Sequence, residues 1–219
     1  MKIQSYLNNP EFPVKKVLFG GHWSDNPGWL LLTEAEQDLT HPLSCPDAVL
    51  DCVYSEHVVE HLPFAGALNF FCEGLRVLKE GGTFRLVLPC LETILNTPLD
   101  NKNGEKYIYT SLIPHFANEN HYLKMLDLEG LEADPTLFLL NSMANKHDHK
   151  FLWSLKLLKQ IFTKVGFKNV VVREPGIGNN PEFCIERRKR GLYVDNDWKE
   201  NESHTEVWDC ESGIIEAVK

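Results

Sequence analysis

Residues 68–89 read LNFFCEGLRVLKEGGTFRLVLP, and they join two patterns that together point to one architecture. The apolar residues Leu68, Phe71, Cys72, Leu75 and Leu78 recur at a spacing near 3.6, which gives a helix one buried face. Gly81-Gly82 is read as the left-handed cap that ends this helix, and Thr83 to Leu88 as a strand that Pro89 stops. Upstream, Val14–Phe19, Leu30–Leu32 and Ala48–Ser55 are short apolar runs bounded by Gly, Pro or Asp, and they read as strands. Alternating strands and helices of this kind predict an α/β domain with a mostly parallel sheet. Downstream, Leu152, Leu155, Leu158, Ile161, Phe162 and Val165 mark a second helix. Gly166 is expected at its C-cap, and Phe167 is placed to make the accompanying apolar contact. Asn169–Arg173 and Gly213–Val218 complete the strands. The stretch 91–148 is less regular and reads as an insertion capping the sheet, within one domain spanning residues 1–219.

The 219 residues are 43% hydrophobic and 24% charged, the proportions of a globular domain, which excludes a fibrous or largely disordered chain. A net charge of −9 argues against a dedicated nucleic-acid binder, because phosphate contacts need a clustered basic surface. The one dense basic run, Arg187-Arg188-Lys189-Arg190, reads as a solvated turn. No run reaches the roughly 20 apolar residues of a membrane-spanning helix, and the first residues lack a secretory pattern, so a cytoplasmic protein with no membrane contact is expected. Six scattered cysteines without a C-x-x-C pair fit free thiols.

In an open α/β sheet, ligands bind beyond the carboxyl ends of the strands. The residues to examine are therefore Gly20-Gly21-His22, Thr33-Glu34, Asp38, and Ser55-Glu56-His57. With SEHVVEHL (55–62), LRVLKEGGTFRLVLP (75–89) and GFKNVVV (166–172), the chain resembles the class I S-adenosylmethionine-dependent methyltransferases. It is most similar to the type 11-like branch, whose series of G-x-G, Gly-Trp, D-L-x-x-P-L and E-H-x-x-E-H-L is followed by Gly28-Trp29, Asp38 to Leu43 and Glu56 to Leu62. The resemblance implies a Rossmann-like sheet of seven strands whose last two form an antiparallel edge, S-adenosylmethionine as cofactor, and a small-molecule acceptor. Only about nine residues separate the first two strands, so the first crossover helix is expected to be short or missing.

Two positions depart from the family pattern. His22 stands where the second glycine is expected, with Gly21 able to shift the register, and Thr33 replaces the acidic residue that ends the second strand, leaving Glu34 as the nearest carboxylate for the ribose hydroxyls. By resemblance, Asp38 receives the adenine amino group. The cofactor set is then Gly20, Gly21, His22, Thr33, Glu34, Asp38, Ser55, Glu56 and His57. His57 and His61, one helical turn apart, share a face, but no third ligand stands near them in sequence and no metal is expected. His147-Asp148-His149-Lys150 is the other histidine cluster. Asp148 reads as a helix N-cap, and a His-Lys pair matching His149-Lys150 occurs in related sequences. His149 and His57 are the candidate catalytic residues, His149 on the acceptor side. The expected activity is methyl transfer to an oxygen or nitrogen. The alternatives are a binding protein on the same fold that has lost catalysis, or another reaction on the same cofactor-like ligand.

Overall fold

The computed structural model describes residues 2–20, 26–96, 140, 144, 148–186, 191–194, 197–200 and 212–219. Its centre is a six-stranded sheet. The strands are β1 (Lys16–Gly20), β2 (Trp29–Leu32), β3 (Leu50–Glu56), β4 (Leu78–Pro89), β5 (Lys168–Arg173) and β8 (Ser212–Val218), in the order β2-β1-β3-β4-β8-β5. Strands β1 to β4 pair in parallel. β8 lies antiparallel to both β4 and β5, so the last two strands of the sheet form the expected antiparallel edge. Two further strands, β6 (Gly191–Val194) and β7 (Asp197–Glu200), pair with each other apart from this sheet.

The main sheet has six strands among the described residues where seven were expected. Residues 33–49, which connect β2 to β3, hold turns and no strand, so β2 is the edge of the sheet. That segment is instead pinned by side chains. Arg76 donates to Glu73 through Nε (2.9 Å) and Nη2 (2.6 Å), and also to the carbonyls of Leu43 (3.1 Å) and Cys45 (2.9 Å). Glu73 accepts from the Leu43 N–H at 2.7 Å.

Helix α2 (Phe64–Val77) crosses from β3 to β4, α3 (Leu91–Asn96) follows β4, and α4 (Leu155–Val165) precedes β5. The expected stop at Gly81-Gly82 is corrected: the helix gives way at Leu78, whose backbone is already extended, and both glycines lie within β4. Gly81, at φ +78, lets the strand jump register, from Leu50 opposite Leu78 to Cys52 opposite Thr83. The second helix is also shorter than its apolar spacing suggests, beginning at Leu155. Ser154, not Asp148, is its N-cap, accepting from Leu157 N–H at 3.1 Å. Gly166 is the left-handed C-cap, and Phe167 stacks on Phe162 with ring centroids 5.0 Å apart.

One face of the sheet carries the aromatic core of Phe70, Phe71, Phe84, Trp153 and Phe162, all fully buried beneath α2 and α4. The other carries Leu18, Tyr54, Val87 and Ile214, with Phe183 and Trp29 packed on them. The short N-terminal helix α1 (Lys2–Leu7) fixes the start of β1. The Tyr6 hydroxyl accepts from Lys16 N–H (2.8 Å) and donates to the carbonyl of Gly28 (2.8 Å), tying the start of β1 to the residue before β2. Residues 21–25 of that crossover, including Gly21 and His22, and nearly all of the expected 91–148 cap beyond α3 lie outside the described residues.

Candidate active site

Beyond the carboxyl ends of β1, β2 and β3 lies a cavity of about 620 Å³. Gly20, Thr33, Glu34, Asp38 and His57 border it, as read from the sequence. Gly20 closes β1 opposite Glu56, the last residue of β3. Its φ is +76, and a methyl group there would strike the Glu56 carbonyl and come within 2.6 Å of Val58 Cγ2. Only glycine fits both the conformation and the space. Phe19, Leu32, Leu39, Val58, Leu62 and Pro63 supply apolar walls, a set that the strand-end rule alone does not identify.

Thr33 has a structural partner. Its N–H and hydroxyl donate to Glu36 Oε2 at 3.0 and 3.1 Å, and Lys2 Nζ approaches Glu36 Oε1 at 2.9 Å. The Thr33 amide, with help from Lys2, holds the Glu36 carboxyl down at about 2. Glu36 is therefore spent on the turn, and Glu34 is the carboxylate of this pair that borders the cavity. Asp38 borders the cavity and shapes its loop as well. Oδ1 accepts from the Thr40 hydroxyl (2.7 Å) and N–H (2.8 Å), and Oδ2 lies 2.9 Å from His41 Nδ1. These hydrogen bonds, Thr40's first, lower the Asp38 carboxyl below its ordinary range.

Ser55 and Glu56 do not border the cavity. Both are buried in β3, where Glu56 Oε2 accepts from the Tyr54 hydroxyl at 3.3 Å. They act by ending the strand. The chain then turns sharply at His57 (φ +51), whose Nε2 lies 2.9 Å from Ser212 Oγ on β8 and whose Nδ1 lies 3.3 Å from Glu60 Oε1.

Val59–His61 forms a single 3-10 turn, and residues 150–151 are stitched to it: the N–H groups of Lys150 and Phe151 both donate to the Glu60 carbonyl, at 2.7 and 3.3 Å. This brings His149 against His61, edge to face, with centroids 4.8 Å apart. His61, Asp148 and Lys150 border the cavity next to His57, while His149, behind His61, does not. The fold thus joins the two histidine clusters that stand far apart in sequence, while His147 lies outside the described residues. Glu60, beneath them, is 1% exposed, and burial pushes its carboxyl up to about 7 against the pull of His61 and His149.

Residues 24–86, which run from the first crossover through α2 into β4, match the family model of a methyltransferase domain. No curated protein sequence matches the chain. Among solved structures, the chain is similar to an S-adenosylmethionine-dependent methyltransferase from Archaeoglobus fulgidus, at 16% identity and a TM-score of 0.47, over 99% of this chain and 91% of that one. A Thermotoga maritima structure, also described as an S-adenosylmethionine-dependent methyltransferase, aligns at 13% identity and a TM-score of 0.43, over 99% and 89%. A third is the Haloferax volcanii complex of the Trm112 methyltransferase activator with a methyltransferase, at 14% and 0.44, over 99% and 88%. The matched segment, 63 of the 219 residues, holds the Asp38 loop and the His57 turn, and over that segment the chain is similar to the methyltransferase-domain family.

Proposed function

We propose that this enzyme transfers the methyl group of S-adenosylmethionine to an oxygen or nitrogen of a small-molecule acceptor. The observation that carries the reading is the cavity at the ends of β1 to β3, where Gly20 leaves no room for a side chain and carboxylates stand at the edge. The residues fit the cofactor. Leu32, Leu39 and Leu62 offer a flat apolar slot for an adenine ring, Glu34 offers oxygens to ribose hydroxyls, and Asp38 offers one to the adenine amino group. The bare Gly20 backbone admits the methionyl end. Gly21 and His22 complete the set in the adjoining crossover.

When bound, the cofactor supplies a methyl group on a sulfonium, already a good electrophile. The chain's own contribution is alignment and exclusion of water. The adenosine-side loop is held by two sets of hydrogen bonds, Thr33 to Glu36 and Asp38 with Thr40 and His41. His57, fixed between Ser212 and Glu60, belongs to the cofactor end. His149 belongs to the acceptor end and governs the acceptor's proton, which must leave if the acceptor is a hydroxyl or an ammonium. The 91–148 segment, read from the sequence as a cap, lies almost wholly outside the described residues beyond α3. No helix among the described residues is long and apolar enough to cross a membrane. Cys45, Cys52, Cys72, Cys90 and Cys184 are free, which supports a cytoplasmic setting for the reading.

Calorimetry with S-adenosylhomocysteine tests the cofactor: binding at micromolar strength is expected, with Asp38→Ala weaker by roughly 1.5–3 kcal/mol, the scale of a hydrogen bond to a charged group. Absence of heat and of any thermal shift at millimolar ligand would overturn the assignment in favour of a binding protein that has lost catalysis. Screening sugars, small acids and amines with labelled donor then finds the acceptor. With it in hand, His149→Ala should lower the rate on the order of 10²–10⁴-fold while leaving S-adenosylhomocysteine affinity unchanged.

A further inference from the structure

Glu60 is an anomaly in a protein interior. Its side chain is 2% exposed, yet among the described residues neither carboxylate oxygen takes a hydrogen bond from another residue. A buried carboxylate without donors is costly unless something positive neutralises it. The groups facing it are imidazoles: His57 Nδ1 at 3.3 Å and His61 Nε2 at 3.9 Å from Oε1, with His149 beyond His61. One ligand atom from each of Glu60, His61 and His149 can be chosen such that all three lie within 4.8 Å of one another. Donors bonded tetrahedrally at the usual zinc distances of about 2.0–2.1 Å stand about 3.4 Å apart, so a small rotation of two rings closes the gap.

We propose that Glu60, His61 and His149 form a binding site for a first-row divalent transition-metal ion of the zinc class, with an open coordination position toward the cavity. Two imidazoles and one carboxylate form the donor set of metal sites that keep a position for water or substrate. Nitrogen donors select zinc, cobalt or nickel over magnesium and calcium, which prefer oxygen. The backbone is built to hold the set, since the Lys150 and Phe151 amides fasten the His149 segment to the turn carrying Glu60 and His61. His57, held by Ser212 through Nε2, places Nδ1 3.3 Å from Glu60 Oε1, where the outer partner of a metal-binding carboxylate stands. His61 borders the cavity directly, so the open position would face the acceptor. Use of the ion to anchor an acceptor oxygen or nitrogen rests on the methyl-transfer reading, whereas binding of the ion does not.

Protein dialysed exhaustively against chelator and then free buffer should bind one zinc ion per chain by calorimetry, and cobalt with the visible bands of a four- or five-coordinate site. Glu60→Gln, His61→Ala and His149→Ala should each weaken zinc binding at least tenfold, as should the milder His149→Gln if the alanine variant fails to fold. Cys72→Ser, which removes an exposed thiol, should leave it unchanged. No stoichiometric binding, or binding that all the ligand variants retain, overturns the site. Titrating S-adenosylhomocysteine into the same samples keeps the two ideas apart: zinc binding without cofactor binding supports the site and overturns only the methyl-transfer reading.

Discussion

Gly20 shows how much a single residue carries. Its left-handed backbone and the Glu56 carbonyl beside it leave no space for a side chain, so Gly20→Ala has to move the ends of β1 and β3 apart. A left-handed alanine and an overfilled contact together should cost about 2–4 kcal/mol of stability. S-adenosylhomocysteine affinity should fall with it, because the same backbone borders the cavity. Thermal melting and calorimetry on the one variant measure both, and an unchanged melting temperature would show that the strand ends adapt freely. Gly20 was legible in the sequence because a glycine after an apolar run has few other uses. Glu36 was not: nothing in Thr33 to Glu36 signals that the carboxylate three residues on, and not Glu34, closes back onto the Thr33 amide.

The elements repeat that division. The period of Leu68 to Leu78 locates α2, and the apolar runs locate the strands, because both record which face is buried. The end of α2 was misread since a glycine serves a register jump in a strand as well as it serves a helix cap, and only pairing with β3 tells them apart. The Glu60, His61 and His149 grouping was hidden for a similar reason: the hydrogen bonds that assemble it join a 3-10 turn to a segment far along the chain. The Asp38 loop, lacking a strand of its own, depends on α2 through Glu73 and Arg76. Arg76 bonding, followed by the Leu43 amide, lowers the Glu73 carboxyl below its ordinary value. The stability this contributes is therefore complete above the unfolded-state pKa of about 4.3 and is lost as pH falls through the lower folded value. Glu73→Gln should melt at a lower temperature than the native protein at neutral pH, and the difference should shrink as the pH drops below about 4. A constant difference across that range would show that the pair does not titrate with folding.

For the molecule as a whole, the sheet is held at its antiparallel edge by charges that no hydrophobic pattern reveals. Arg85 on β4 is fully buried, with Nη1 2.8 Å from Glu216 Oε2 on β8 and both Nε and Nη2 bonded to Glu186. Glu216 Oε1 also accepts from Arg173 Nε on β5 (3.1 Å) and from Asn179 N–H (3.0 Å). One carboxylate thus binds three neighbouring strands and the loop after β5. Removing it leaves a buried guanidinium short of a partner, and Glu216→Ala should destabilise by about 3–5 kcal/mol, read as the midpoint shift in urea at constant slope. A loss below about 1 kcal/mol would mean that Glu186 alone satisfies Arg85.

The position of β8 sets a timetable for the growing chain. As residues leave the ribosome, β1 to β4 can pair in the order they are made, but among the described residues β5 has no neighbour in the sheet except β8, which is synthesised some forty residues after it. Until then one edge of β4 offers unpaired backbone amides and an apolar face to any passing strand. Insertion of β8 fills that slot and recruits β5 in the same event, so the last step of folding is a concerted closure of high contact order. A nascent chain arrested before residue 212 should accordingly remain sensitive to protease at 168–173 while β1 to β4 are already protected.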